Sequence, residues 1–389
     1  MTQLEADWLK SRQVQEVLDV LADGGYQAFV VGGAVRNALL GLAVTDLDIA
    51  TSARPEQVID LAERAGIRAV PTGIEHGTVT LIVGDTPFEV TTFRRDIETD
   101  GRRAVVAFSD TVEEDAARRD FTLNALYADA SGRVLDPVGG MADLRARRIV
   151  FVGDPDTRIK EDFLRSLRFF RFTAQYGDPD QGLDPDALAA IADNLEGLES
   201  LARERIGAEM IKLLGAKDPG PAIAAMQITG VLIRLLPGAV ADMVFPLVHL
   251  EGDAGRSPDW VRRLAALGGE DPAERLRLPK KAARRLDILL TGQSSTASLA
   301  EIAWREGEDV AWDVALLRSA GLGAPMPDSV GAEVALGASA EFPLSAQDLM
   351  PDYEGPALGA ALKSAERLWI DSGFKLDRDA LLLVLGKAG

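Results

Sequence analysis

The sequence predicts an α+β N-terminal domain followed by an all-helical remainder. Three observations carry this. Strand-like runs such as AFVV, TVTLIV and FEVTTF occur only before about residue 152. Beyond it, Ala- and Leu-rich segments follow one another, separated by Pro and Gly. No internal repeat or low-complexity tract interrupts either part.

The elements follow in order. Residues 3–23 read as a helix, with Leu4, Trp8, Val14, Val17, Leu18 and Leu21 at helical spacing, ended by Gly24-Gly25. AFVV is a short apolar strand leading into Gly32-Gly33. AVRNALLG is a helix closed by Gly41. TDLDIAT is a strand in which Asp46 and Asp48 alternate with apolar residues. TVTLIV and FEVTTF are two strands parted by a hairpin turn at Gly84-Asp85. Residues 94–118 are charged and poor in pattern, the signature of a mobile loop. RRDFTLNALYAD contains a short amphipathic helix with Phe121, Leu123, Leu126 and Tyr127 as its apolar members, and DPVGGMADL turns into another helix.

Composition narrows the chemistry. A hydrophobic fraction of 47% supports a sizeable core, and no apolar run reaches the ~18 residues of a membrane span. The acidic, polar N-terminus lacks a signal-peptide layout, so a cytoplasmic location is expected. With no Cys and only His76 and His249, thiolate sites and a His-rich metal centre are excluded. Any metal must be held by oxygen, which favours Mg2+ or Mn2+. The formal charge of -19 argues against general nucleic-acid binding, although a local basic patch can still meet phosphates.

A strand, Gly-Gly and a helix in succession bring backbone N–H groups and a helix N-terminus to one point, an arrangement that binds phosphate. Gly32 and Gly33 supply the turn and Arg36 adds charge one turn into the helix. Taken alone, the pair of glycines is weak evidence and reads more readily as a plain tight turn. Asp46 and Asp48 sharpen the reading. Residues i and i+2 of a strand share a face, and two converging carboxylates call for a cation between them. A two-metal phosphoryl-transfer site follows. Glu89, from the FEVTTF strand, would add a third carboxylate, or is an ordinary solvent-facing strand residue. Asp120 either caps the short helix after it or accepts from a sugar hydroxyl, with Arg119 beside it.

GGAVRNALLG, TDLDIA, FEVTTFR, RRDFTLNAL, DPVGGMADL and EDFLRSLRFFRF, in that order, resemble the class II tRNA nucleotidyltransferases, the CCA-adding enzymes related to bacterial poly(A) polymerases. The resemblance covers roughly residues 25–215, and LARERIGAEMIKLL at 201–214 looks like a later motif of the same family. It implies a polymerase-beta-like nucleotidyltransferase head over 1–150, a helical neck over 151–215 that recognises the nucleotide base, and a helical body and tail over 216–389 that bind tRNA. It also implies untemplated addition of CMP, CMP and AMP to the tRNA 3′ end from CTP and ATP. By motif, Asp46 and Asp48 would hold the metals and Glu89 matches the third acidic position. Gly32 would shape the turn, with Gly33 and Arg36 at the triphosphate, and Arg119 and Asp120 at phosphate and sugar. Residues 94–118 would be the family's flexible loop, and Asp162 and Arg165 would bond the base edge, with Arg168 and Arg171 nearby.

A helical wheel tests the last group, at about 100° per residue. It places Asp162, Arg165 and Arg168 opposite an apolar stripe of Phe163, Leu164, Leu167 and Phe170, with Arg171 on or beside the stripe. Arg171 therefore also reads as an arginine packing its stem, and Glu161 with Arg165 as a plain i, i+4 ion pair. The alternatives within the family are a poly(A) polymerase, a CC-only enzyme and an A-only enzyme. The ending DRDALLLVLGKAG lacks the basic tail of the first, and loop 94–118 argues against the second. An inactive RNA-binding scaffold is the rival of another class, opposed by the retained Asp46 and Asp48. Arg275, Arg277, Lys280, Lys281, Arg284 and Arg285 form a local basic cluster expected to meet the tRNA backbone, or else a solvated helix face.

Overall fold

The computed structural model describes residues 2–99 and 104–386. The chain divides into two compact units, Met1–Val240 with Gly269–Leu278, and Ala241–Gly268 with Pro279–Gly389.

The first unit begins extended rather than helical. Gln3 bridges Arg133, and the Leu4 N–H donates to the Gly132 carbonyl at 2.7 Å. Leu4 and Leu9 are buried outside any helix, so the helix expected from residue 3 is α1, Arg12–Asp23, with the Ser11 side chain capping Val14. There follow β1 (Ala28–Val31), α2 (Gly33–Leu39), β2 (Asp48–Thr51), α3 (Pro55–Arg64), β3 (Arg68–Gly73), β4 (Thr78–Val83) and β5 (Thr86–Thr92). The expected TDLDIAT strand starts only at Asp48, leaving Asp46 in the preceding coil.

Residues 94–118 are not a patternless loop. They form β6 (Arg94–Thr99) paired antiparallel with β7 (Ala104–Phe108), then α4 (Val112–Ala117), capped by Thr111. Residues 100–103 of the expected loop lie outside the described residues, as do 387–389 of the chain's ending. RRDFTLNALYAD also differs from expectation. Its helix is one 3-10 turn, Thr122–Asn124, after which β8 (Tyr127–Ala128) pairs with both β1 and β9 (Val134–Leu135). Sheet pairing claims the backbone that helix would have used, and Leu123, Leu126 and Tyr127 are buried all the same.

The main sheet is mixed, in the order β3-β4-β5-β2-β1-β8-β9. Phe29, Val31, Ala50, Phe93 and Tyr127 pack on one side of it as a core cluster. The helical part of this unit continues with α5 (Gly140–Ala146), α6 (Pro155–Glu161), α7 (Leu164–Tyr176), α8 (Pro185–Asp193) and α9 (Arg203–Leu214).

The second unit is helical among its described residues. One part is held by buried charge. Glu251 receives both Arg262 and Arg263, and Asp313 receives Arg262 and Arg285. Another part packs Trp304, Phe342 and Phe374 around Trp369. No helix among the described residues is long and apolar enough to cross a membrane.

Candidate active site

Three backbone segments meet at one point of the sheet. Asp48 is in register with Val31 of antiparallel β1 on one side and with Glu89 of parallel β5 on the other. Adjacent strands lie about 5 Å apart, so Asp48 and Glu89 are neighbours by backbone pairing. The residue after Val31 is Gly32, whose φ of 69° and ψ of -120° suit glycine and turn the chain into α2. The N-terminus of α2 thus opens beside the carboxylates.

The carboxylates crowd one another. Partial desolvation, then the charges of Glu89 and Asp46, lift the Asp48 pKa above the usual carboxylate range, and Arg119 opposes them. Asp46 is exposed and accepts from the Thr45 hydroxyl at 3.0 Å. Such a cluster gains by binding a cation, and its donors are all carboxylate oxygens, which suits a hard divalent ion. No three His, Cys, Asp or Glu residues among the described residues are already gathered as a full ligand set. Two carboxylates with substrate phosphates completing the shell are a usual arrangement for Mg2+.

Arg36 is buried and almost fully engaged. Its Nη1 donates to Asn124 Oδ1 at 2.5 Å, Nε and Nη2 to Asn37 Oδ1 at 3.1 and 2.8 Å, and Nη2 to the Tyr176 hydroxyl at 2.8 Å. Its guanidinium lies 4.0 Å from the Tyr176 ring centroid and 5.2 Å from that of Phe172. Four of its five N–H donors are spent, so it offers the site one N–H and a charge. Burial lowers its pKa from the ordinary arginine value.

Arg119 reaches over the Gly32 turn from the other side. A side-chain carbon on Gly32 would sit 3.4 Å from Arg119 Nη1. Asp115 holds Arg119 at 2.9 Å, and the Tyr127 hydroxyl accepts from Arg119 Nε at 2.9 Å while donating to Asp115 at 2.8 Å. Asp120 accepts from Asn124 Nδ2 at 3.0 Å, the Phe121 N–H at 2.8 Å and Arg168 Nε at 2.7 Å. Burial opposes its ionisation, yet Arg168 and these bonds bring its pKa below the usual range.

EDFLRSLRFFRF is not one helix. α6 ends at Glu161, Asp162 is extended at φ -153° and ψ 106°, and α7 starts at Leu164. Asp162 Oδ1 accepts from the Leu164 N–H at 3.1 Å and Oδ2 pairs with Arg205 at 2.7 Å. A wheel that counts Asp162 as helical therefore misplaces it. Arg165 pairs with Glu161 at 2.5 Å, and donates to the Arg158 and Arg118 carbonyls at 3.0 and 3.2 Å. The expected i, i+4 pair exists, but with side chains only 13% and 9% exposed it is no solvated surface pair.

The arginine spacing acquires a different meaning. Arg165, Arg168, Phe172 and Tyr176 fall at i, i+3, i+7 and i+11, one face of α7. That face meets Arg118, Asp120 and Arg36, so it is a docking seam rather than a free polar face. Arg171 points elsewhere. It is buried, bonds Glu209 on α9 at 2.5 Å and sits 4.4 Å from the Phe172 ring centroid.

The carboxylates of the central strands β2 and β5 and Gly32-Gly33 thus converge, Arg36, Arg119, Asp120 and Arg168 form an adjoining network, and Asp162 and Arg165 lie at the α6–α7 break. The sequence reading missed Asp115, Asn124, Tyr176, Arg205 and Glu209. Each holds a predicted site residue. Long-range folding makes most of these pairs; Asp115 with Arg119 and Asn124 with Asp120 are each four residues apart, a spacing that was in plain view.

A mixed sheet bearing carboxylates on two central strands beside a glycine turn, joined to helices, defines a nucleotidyltransferase. Residues 28–150 match the family described as the poly A polymerase head domain. Residues 182–243 match the one described as a probable RNA and SrmB-binding site of polymerase A. The chain is 31% identical over 395 residues to the mitochondrial CCA tRNA nucleotidyltransferase 1 of Mus musculus, covering 96% of this chain and 90% of the relative. It is 34% identical to the CCA-adding enzyme of Streptococcus gordonii, with 94% of each covered. The crystal structure of the Bacillus stearothermophilus CCA-adding enzyme in complex with CTP superposes with a TM-score of 0.72 at 30% identity, covering 93% of each chain. The chain belongs to the CCA-adding tRNA nucleotidyltransferase family.

Proposed function

We propose that this enzyme completes tRNA 3′ ends by adding CMP, CMP and AMP from CTP and ATP without a nucleic-acid template. The carrying observation is the register that sets Asp48 between Glu89 and the residue preceding Gly32. It brings a cation site and a phosphate-cradling helix terminus to one place.

Asp46 and Asp48 hold two divalent ions, Mg2+ with Mn2+ as a substitute, and Glu89 borders them. The bound ions supply charge neutralisation at the α-phosphate and at the departing pyrophosphate. The remaining work falls to the chain. Backbone N–H groups at Gly32 and Gly33 meet the triphosphate, with the charges of Arg36 and Arg119 on either side. Asp120 accepts from the sugar hydroxyl. The terminal hydroxyl of tRNA attacks the α-phosphorus and the bond to pyrophosphate breaks. Asp162 and Arg165 read the base edge as acceptor and donor. Arg165 keeps two N–H groups not committed by its three protein bonds. Arg168 holds Asp120, and we assign Arg171 to packing against α9 because its charge is spent on Glu209.

The division into head (1–150), neck (151–215), and body and tail (216–389), and a cytoplasmic location, complete the proposal. In the basic cluster, Lys280, Lys281 and Arg284 are exposed and are the residues proposed to meet tRNA. Arg285 is engaged with Asp259 and Asp313 instead.

The test is product length. The protein is incubated with tRNA lacking its 3′ end and with CTP, ATP or both. Addition of three nucleotides with both substrates, and two with CTP alone, is the expected result. Long A tails, a single A, or a stop at CC with both substrates would each replace it with a different member of the family.

A further inference from the structure

Asn124 lies where the two halves of the proposed nucleotide site meet. It is 7% exposed and sits at the end of the single 3-10 turn before β8. Its Oδ1 accepts from Arg36 Nη1 at 2.5 Å, on the phosphate-cradling helix. Its Nδ2 donates to Asp120 Oδ1 at 3.0 Å, in the segment assigned to the sugar. Its backbone carbonyl faces Arg119 Nη1 at 3.5 Å. One residue therefore touches three groups assigned to nucleotide binding, two through its side-chain amide and one through its backbone carbonyl.

Chemistry explains why an amide stands there. Arg36 presents only donors and the ionised Asp120 only acceptors. A side chain between them must accept on one end and donate on the other, with no net charge of its own. Asparagine does this in one orientation, since the flipped amide would set N–H against Arg36 and oxygen against the carboxylate. Arg168 and Tyr176 brace the outer ends of the chain, on Asp120 and Arg36, from a single face of α7. The sequence Tyr176, Arg36, Asn124, Asp120, Arg168 is thus one unbroken run of side-chain hydrogen bonds.

We propose that Asn124 is a positioning residue that sets the triphosphate-side Arg36 and the sugar-side Asp120 relative to each other, so that both halves of one nucleotide are gripped in a single geometry. It need not touch the nucleotide. The inference rests on the assignment of Arg36 and Asp120 given above.

Two variants separate the two ends. Asn124→Leu matches the shape but offers neither bond. Asn124→Asp keeps an acceptor for Arg36, and at its other end replaces the donor to Asp120 by a repelling carboxylate oxygen. Four quantities are read in the whole chain with tRNA ending in its first C: KM and kcat for CTP, the preference for CTP over dCTP, and the inhibition constant of pyrophosphate, which probes the phosphate side alone. Asn124→Leu is expected to raise KM and the pyrophosphate constant about tenfold each, the scale of one unmade buried hydrogen bond, and to erode the CTP preference. Asn124→Asp is expected to return the pyrophosphate constant to within about threefold of wild type while leaving the CTP preference eroded. Asn124→Leu that lowers melting temperature and kcat without moving KM, the pyrophosphate constant or the preference would overturn the proposal, as would an Asp variant no different from Leu in any readout. If the CTP preference stays intact in both variants and in Asp120→Asn while Asn124→Leu still raises the pyrophosphate constant, the positioning of Arg36 stands and the sugar contact belongs to another residue.

Discussion

Removing the Glu209 carboxylate of α9 should destabilise the arginine helix α7 by leaving Arg171 without its counter-charge. Glu209 and Arg171 have side chains 8% and 10% exposed, and Glu209 Oε2 lies 2.5 Å from Arg171 Nε. Among the described residues, Arg171 has one further side-chain hydrogen-bond partner, Gln175 Oε1 at 3.1 Å, and that partner is neutral. Glu209→Ala leaves a guanidinium buried against Phe172 with no counter-charge. Breaking one side of such a pair costs about 3–5 kcal/mol. For a domain of ~150–250 residues, the lower figure alone lowers the melting temperature by about 6–12 °C. Replacing both residues by Met removes both charges and should recover most of that loss. Melting is followed by far-UV circular dichroism, and KM for CTP and ATP is measured on the same preparations. Packing as the role of Arg171 requires the double variant to melt near wild type with KM changed less than about threefold, a shift below 1 kcal/mol. A stable double variant with KM raised tenfold would refute the reasoning and return Arg171 to the nucleotide.

Other consequences are as direct. Asp46→Ala should abolish nucleotide incorporation while leaving tRNA retention on a filter unchanged, and incorporation near the wild-type rate would remove Asp46 from the metal site. Asp115 and Asp120 are each held below the usual carboxylate range in the folded state, against burial, by Arg119 and Arg168 respectively. The stability they supply is therefore complete above the unfolded value of about 3.9 and lost as pH falls through the lower folded values. Urea midpoints should drop on that acid side, and Asp115→Asn should flatten the drop; an unchanged acid limb would contradict the assignment. Gly140→Ala places a carbon 2.1 Å from the Thr122 carbonyl oxygen, a backbone atom with little room to yield. We expect a loss of about 1–3 kcal/mol or more from this overpacking, measurable as a lower urea midpoint. Reversing Lys280, Lys281 and Arg284 to Glu should weaken tRNA binding and reduce the slope of log affinity against log salt by about one for each phosphate no longer neutralised. An unaltered slope would leave that surface as an ordinary solvated helix face.

Much of the head was legible because its signals are local. Alternation marks β4, a glycine pair marks the turn into α2, and two aspartates two residues apart mark the start of the central strand β2. The errors arose where a partner distant in sequence decides the backbone. Leu4 pairs with Gly132 instead of continuing a helix, and the LYA of RRDFTLNALYAD joins β1. Charge in residues 94–118 resembled a loop although two strands pair there. A composition cannot report a hydrogen-bond partner that the chain acquires only on folding.

EDFLRSLRFFRF divides along the same line. The sequence by itself determined that Asp162 and the arginines recur every three residues among large apolar groups, and that so regular a pattern in an acidic chain needs partners. It named one partner, Glu161 for Arg165 at i, i+4, and could not name the others. Only the tertiary structure broke the helix at Asp162, buried the Arg165–Glu161 pair, and gave Arg165 the Arg118 carbonyl, Arg168 Asp120 and Arg171 Glu209. The physical reason is that a helix wheel fixes directions but not what lies along them. A buried guanidinium is stable only where folding delivers a carboxylate or carbonyl, and those groups come from positions 38 to 48 residues away as well as from four.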